Sequence, residues 1–382
     1  MTDANFLNKI IYADNAATTK MDEDALNLMI ELQRKYFGNP SSSYKISRPL
    51  KKILNESREK IATCINADPS EIYFTSGGTE SNNWAIKNFV LAHLNEKPNI
   101  ITSPIEHKSV LNSCLAMKLF CGCKITKLPV DKSGLINPDD FEKKITRRAQ
   151  IISIMTANNE VGTVQPIKKL AEIAHERGKI FHTDAVQAVG HIPIDVKNLG
   201  VDMLSASAHK FNGAKGTGFL YAKKNISLFP YIDGGGQEMN MRGGTENVPA
   251  IAAMALALEK NCREMEKISE KVSDISKILI NRLREKNIDF ILNGGENRLP
   301  GHLSLSFKNR DGENLMHRLD LKNICVSTGS ACNSEKIKIS PTLRALKIPD
   351  DYIRGTIRIT FGKENTPEDA EIIADILQKI LS

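Results

Sequence analysis

No apolar stretch in the 382 residues approaches the roughly 20 that a bilayer-spanning helix needs, so no membrane-spanning helix is expected. The N-terminal MTDANFLNKIIYADNAATTK carries acids early and lacks a charged-then-apolar pattern with a cleavage site; with no export signal, a cytoplasmic location is expected. Seven cysteines contain no pair of CxxC motifs, and Cys121 and Cys123 in CGC stand too close together for a zinc site, so no metal is expected and the thiols are read as reduced. GAKGTG lacks the residue order of a nucleotide-binding P-loop. Net charge is +7, yet lysines alternate with acids along EKISEKVSDISKILINRLREKN and no aromatic-interleaved basic stripe occurs, which argues against direct nucleic-acid binding. Internal repeats and low-complexity tracts are missing as well.

What is present is an ordinary globular composition, 41% hydrophobic and 25% charged, on a chain whose length suits one large and one smaller lobe. From about Glu71, strand-like EIYFTS, NIITS, QIISIMTA, KIFHTDA and DMLSAS alternate with helical segments. That rhythm indicates an α/β fold with a mostly parallel sheet covered by helices on both faces. Upstream, Leu50, Ile53, Leu54, Ile61 and Cys64/Ile65 recur at helical spacing. After Pro249 a long helical segment runs to about Lys286, followed by strand-like FILNGG, HLSLSF, ICVST and TIRITFG among helices, which reads as a separate α+β lobe to which the N-terminal segment can return.

Polar residues gather at the predicted strand ends, where an α/β sheet binds ligands. In FTSGGTESNN, Gly77, Gly78 and Thr79 lie between a strand and a helix, where backbone N–H groups and a hydroxyl would face an anion. Asp184 ends the strand FHTDA, and Lys210 follows the strand DMLSAS inside SASAHKFNGAKGTG. A phosphate cradle, a carboxylate for a ring nitrogen and an aldehyde-binding lysine are together the requirements of pyridoxal phosphate. Ser207 and His209 flank the lysine and can bond the phosphate, Gln187 and Asn159 can donate to the ring oxygen, and His107 in SPIEHKSV is suited to stack on the ring and shuttle protons. Cys325 sits among apolar neighbours in ICV, whereas Cys332 lies in a run of Gly, Ser, Ala and Asn, as an accessible nucleophile would. The stretch from Thr328 to Ser340 is expected to be a mobile arm that carries Cys332 between cofactor and surface.

In order along nearly the whole chain, YADNAATT, GNPSS, FTSGGTESNN, EHKSV, NNEVGTVQPI, TDAVQAVG, SAHKFNGAKGTG, GGGQE, RGGTENV and STGSAC resemble the cysteine desulfurases of the NifS/IscS type. The resemblance implies the aspartate aminotransferase fold, fold type I of the pyridoxal-phosphate enzymes, with a seven-stranded large domain over residues 15–254 and a small domain from residues 1–14 and 255–382. It implies a homodimer that converts L-cysteine to L-alanine, with Lys210 holding the cofactor, Asp184 its ring nitrogen and Cys332 the sulfur as a persulfide. It also implies that Thr245 completes the phosphate site of the opposite subunit, and that Arg358, alongside Asn159, holds the substrate carboxylate with its two-pronged guanidinium. The chain departs from the pattern at Tyr44, Met239 and Ala214, where relatives often carry histidine, arginine and proline; none of these removes a catalytic group. After Cys332 it reads NSEKIKIS instead of the common SLEPS ending, which leaves the sulfur-acceptor protein open among iron–sulfur assembly, tRNA thiolation and DNA sulfur modification. Two other readings stand beside this one. A lyase or aminotransferase on the same fold would make Cys332 incidental, and a non-catalytic relay subunit would have no use for Lys210, Asp184 and Cys332 together.

Overall fold

The computed structural model describes residues 10–148, 150–328 and 339–382. Strand β1 (Ile11–Tyr12) is followed by the seven strands of the main sheet: β2 (Ile72–Thr75), β3 (Asn99–Thr102), β4 (Lys124–Lys127), β5 (Gln150–Ser153), β6 (Ile180–Asp184), β7 (Met203–Ser207) and β8 (Gly218–Ala222). Their order is β2-β8-β7-β6-β5-β3-β4, and β8 alone runs antiparallel to its neighbours. Strands such as NIIT and QIIS are buried at every position because helices cover both faces, which selects β-branched residues without polar alternation. Edge strand β4 has no such signature. Its sequence KITK exposes a lysine at each end, a common way to blunt a sheet edge, and it left no trace in the sequence pattern.

The helix Arg48–Cys64 buries Leu50, Leu54 and Ile61 against the main core, as its periodicity predicts. The 38-residue helix Val248–Glu285, about 57 Å long at 1.5 Å per residue, belongs to two cores. Val248, Ile251, Met254 and Leu258 pack with the main sheet, while Val272, Ile275, Leu279 and Leu283 pack with a second sheet. That second sheet joins β9 (Phe290–Leu292), β10 (His302–Phe307), β12 (Ser327–Thr328) and β13 (Thr356–Thr360) in the antiparallel order β12-β13-β10-β9. Strand β11 (Ile324–Cys325) pairs in parallel with β1, so the N-terminal segment returns to this lobe. Among the described residues no helix is long and apolar enough to cross a membrane.

Candidate active site

The C-terminal ends of β2, β3, β5, β6 and β7 open into one cavity of about 680 Å³, closed on its far side by β12, Ser340 and Arg358 of the second lobe. It is lined by Gly77, Gly78, Thr79, His107, Asn159, Asp184, Gln187, Ser207, His209, Lys210 and Arg358, eleven residues singled out from sequence. Thr245 does not line it and is exposed. Cys332, and the Thr328–Ser340 arm apart from its end residues, lie outside the described residues.

At the end of β2 the chain turns through Gly77, whose φ of +142° is a conformation that side chains disfavour. A β-carbon on Gly77 would stand 3.3 Å from Ser207 Oγ, and one on Gly78 only 2.4 Å from Val186 Cγ2. The helix Gly78–Ala92 starts here with no side-chain cap, so its first N–H groups, which cannot bond within the helix, face the cavity with the positive end of its dipole.

Lys210 sits in the short turn that follows β7, and His191 Nε2 meets its carbonyl at 2.7 Å. Its Nζ donates to the carbonyls of Ala16 at 2.6 Å and Ala17 at 2.7 Å. Burial, aided by the nearby Arg358 cation, pulls the amine down to about 8, against the attraction of Asp14 and Asp184. His209 is pushed down to about 4 by burial and by the neighbouring lysines, so the ring beside Lys210 is neutral. Gln187 Nε2 donates to Ala16 O at 2.9 Å and thereby holds the same carbonyl that receives Lys210.

Asp184 is buried at the end of β6. Its carboxylate accepts from Asn82 Nδ2 at 2.7 Å and from the Val186 N–H at 3.0 Å, yet burial still raises its pKa. Asn82 Nδ2 also donates to Ser109 Oγ at 2.9 Å, and Ser109 Oγ lies 2.8 Å from His107 Nδ1. The Ser109 N–H donates to the same Nδ1 at 3.2 Å, so Nδ1 is an acceptor and the neutral ring carries its proton on Nε2. His107 is exposed to the cavity but enclosed by protein elsewhere, and desolvation lowers its pKa despite Asp184. One hydrogen-bonded chain thus runs from Asp184 through Asn82 and Ser109 to His107. Glu106 backs it: buried, bonded by Ser103 Oγ at 2.6 Å and the Met155 N–H at 3.1 Å, its carboxyl is pushed by burial up to about 8.

On the opposite wall, Arg358 in β13 donates from Nη1 to Asn159 O at 2.7 Å and from Nη2 to Asp14 Oδ1 at 2.7 Å. Its Nε is buried without a partner among the described residues. Next to Asn159, Glu160 accepts from Ser340 Oγ at 2.5 Å and Thr342 Oγ1 at 2.9 Å, which joins the two lobes beside the cavity. Sequence reasoning missed Asp14, Asn82, Ser109, Glu106, Glu160 and His191. Only Asn82 left a signal: with Ser81 and Asn88 it is one of three polar side chains on the buried face of this helix, and it lies in the first turns, nearest the predicted anion cradle.

Pyridoxal phosphate fits this set. Its phosphate matches the uncapped helix start, its protonated ring nitrogen supplies the cationic partner that buried Asp184 lacks, and its aldehyde suits an amine of depressed pKa. Among the described residues no group of three or more His, Cys, Asp or Glu could hold a metal ion. A mostly parallel seven-stranded sheet that sets these groups around one cavity defines a pyridoxal-phosphate enzyme of fold type I. Over residues 11–373 the chain matches the model of the class-V aminotransferase family. It is 44% identical to cysteine desulfurase IscS of Dictyoglomus turgidum, over 98% of this chain and 95% of that one. A solved NifS-like protein superposes with a TM-score of 0.92 at 36% identity, covering 98% of this chain and 99% of the other. The structure of SspA in complex with cysteine superposes with a TM-score of 0.82 at 35% identity, over 92% of this chain and 99% of that one. The chain belongs to the class-V aminotransferases and, within them, to the cysteine desulfurases.

Proposed function

We propose that this chain is a pyridoxal-phosphate-dependent cysteine desulfurase that converts L-cysteine to L-alanine and keeps the sulfur as a persulfide on Cys332. The observation that carries the reading is the convergence of Lys210, Asp184 and the Gly77–Gly78 cradle on one cavity. When bound, pyridoxal phosphate supplies an electron sink that acidifies the α-proton of an amino acid. Lys210, whose amine burial pulls down to about 8, would hold the aldehyde and, when free, would accept that proton. Asp184 would keep the ring nitrogen protonated, and Gln187 and Asn159 would orient the ring oxygen. Gly78, Thr79, Ser207 and His209 would bind the phosphate, with Thr245 supplied by the second subunit of a homodimer. Arg358 would hold the substrate carboxylate with its guanidinium, and Asn159 lies beside it. His107, with its proton on Nε2, lines the same cavity and would mediate proton transfer there.

The Cys332 thiolate then bonds to the substrate sulfur while the Cβ–S bond breaks, its electron pair staying on carbon, which takes a proton to become the alanine methyl. The persulfide passes to a sulfur-acceptor protein in the cytoplasm, for iron–sulfur assembly or a thiolation pathway. The large domain of residues 15–254 builds the cofactor site, and the small domain of residues 1–14 and 255–382 carries the cysteine segment. The test is to incubate purified protein with L-cysteine and measure alanine, keto acid and sulfur on each cysteine. Alanine without keto acid, with a persulfide on Cys332, is expected; Cys332→Ser should keep the cofactor but form neither product in quantity. A persulfide on another cysteine, or stoichiometric keto acid, would overturn the assignment.

A further inference from the structure

Outside the cavity, two thiols meet where the helix Arg48–Cys64 crosses the long helix Val248–Glu285. The register is set by Lys60, whose Nζ reaches Glu259 Oε2 at 3.0 Å. Cys64 lies four residues beyond Lys60 and Cys262 three beyond Glu259, so each shares a helix face with its predecessor and the thiols meet one turn further along the seam. There the two thiols come close enough to influence each other. Both residues are partly exposed, and both pack against the main core. Neither lines the active-site cavity.

We propose that Cys64 and Cys262 form an internal dithiol site that low-molecular-weight disulfides oxidise reversibly, closing a covalent bond between these two helices. The inference stands apart from the desulfurase reading, since it uses no residue of that site. The geometry is suitable because a disulfide requires neighbouring Cα positions and facing Cβ atoms, and two thiols that already neighbour each other across a helix seam need only a small approach. The two sulfurs have different roles. Cys64, the last residue of its helix, lies near the negative end of the dipole and is held protonated, whereas Cys262 lies well inside its own helix, away from that end. Cys262 is therefore the attacking thiolate. It displaces one thiolate from a small disulfide and becomes a mixed disulfide. Cys64 then loses its proton and attacks the Cys262 sulfur, expelling the second small thiolate. The protein is oxidised by two electrons, the small disulfide is reduced to two thiols, and the two protein protons end on those thiols.

The test uses the holoenzyme with oxidised glutathione, followed by alkylation of remaining thiols and peptide mapping by mass spectrometry. The expected result is one linked peptide joining Cys64 to Cys262, both protected from alkylation, with full reversal by dithiothreitol. The same link should form in Cys332→Ser, which separates this chemistry from that of the active site. Cys64→Ser should stop with one glutathione on Cys262, and Cys262→Ser should leave Cys64 open to alkylation. Full alkylation of both residues after oxidation, a link from either to a different cysteine, or a mixed disulfide that persists in the unsubstituted protein would overturn the proposal. The mapping of the unsubstituted protein decides the matter even if a variant fails to fold.

Discussion

Replacing Asp184 by asparagine removes one charge from the site while leaving its shape. Two donors point at this carboxylate, Asn82 Nδ2 at 2.7 Å and the Val186 N–H at 3.0 Å, so the new amide can keep its oxygen towards Val186 but must turn an N–H towards Asn82. Asn82 can answer by rotating its own amide, since its Oδ1 is buried without a partner among the described residues. The cost to the fold is then on the order of one hydrogen bond, about 1 kcal/mol, and is offset in part by relief of a carboxylate whose burial already disfavours its charge. The cost to turnover is larger. Opposite unit charges about 4 Å apart attract by roughly 4 kcal/mol at an effective dielectric of about 20. Part of that attraction exists before the transition state, so the loss expected in the rate of alanine formation is about 10²- to 10³-fold. The assay is single-turnover alanine formation from L-cysteine, with cofactor content measured by absorbance and fold by thermal melting. A variant that melts normally, carries full cofactor and turns over within tenfold of the unsubstituted protein would reduce Asp184 to a cap on the turn at Val186.

Three further outcomes are expected. Lys210→Ala should lose the cofactor absorbance of the linked form and yield no borohydride-stable adduct, and an adduct on a different lysine would show that the aldehyde binds elsewhere. Because burial holds Lys210 down to about 8, the cofactor-free protein should react with pyridoxal phosphate faster as pH rises from 6.5 through 8 and level off above it, as the neutral amine replaces the cation; a rate independent of pH over that range contradicts the depressed value. Gly78→Ala would bring a β-carbon to 2.4 Å from Val186 Cγ2, an overpacking that costs about 1–3 kcal/mol, so it should lower the Tm and weaken cofactor retention, and an unchanged Tm with normal retention would mean that the turn is slack.

The βα rhythm could be read in the sequence because strands buried on both faces select runs such as NIIT and QIIS, and because glycine is demanded where the chain turns between β2 and the helix Gly78–Ala92. Edge strand β4 could not, since an exposed edge selects lysines and leaves no apolar run. Much of the candidate site was legible for a related reason: Lys210, Asp184 and the Gly77–Gly78 turn each lie at a strand end, where the reactive group and its position are both local properties. Reach and chemistry of a side chain are written at its own position. What a side chain meets is not, because it depends on where the chain returns. Asn82 and Asp184 are 102 positions apart, Arg358 and Asp14 are 344 apart, and no local pattern announces either pair. The tertiary structure alone decided that Asn82 and Ser109 link Asp184 to His107, that Asp14 shares Arg358 with Asn159, and that Cys64 faces Cys262. It also decided the protonation of the site, because the depressed amine of Lys210 and the raised carboxyl of Asp184 arise from desolvation, which exists only once the two lobes enclose the cavity.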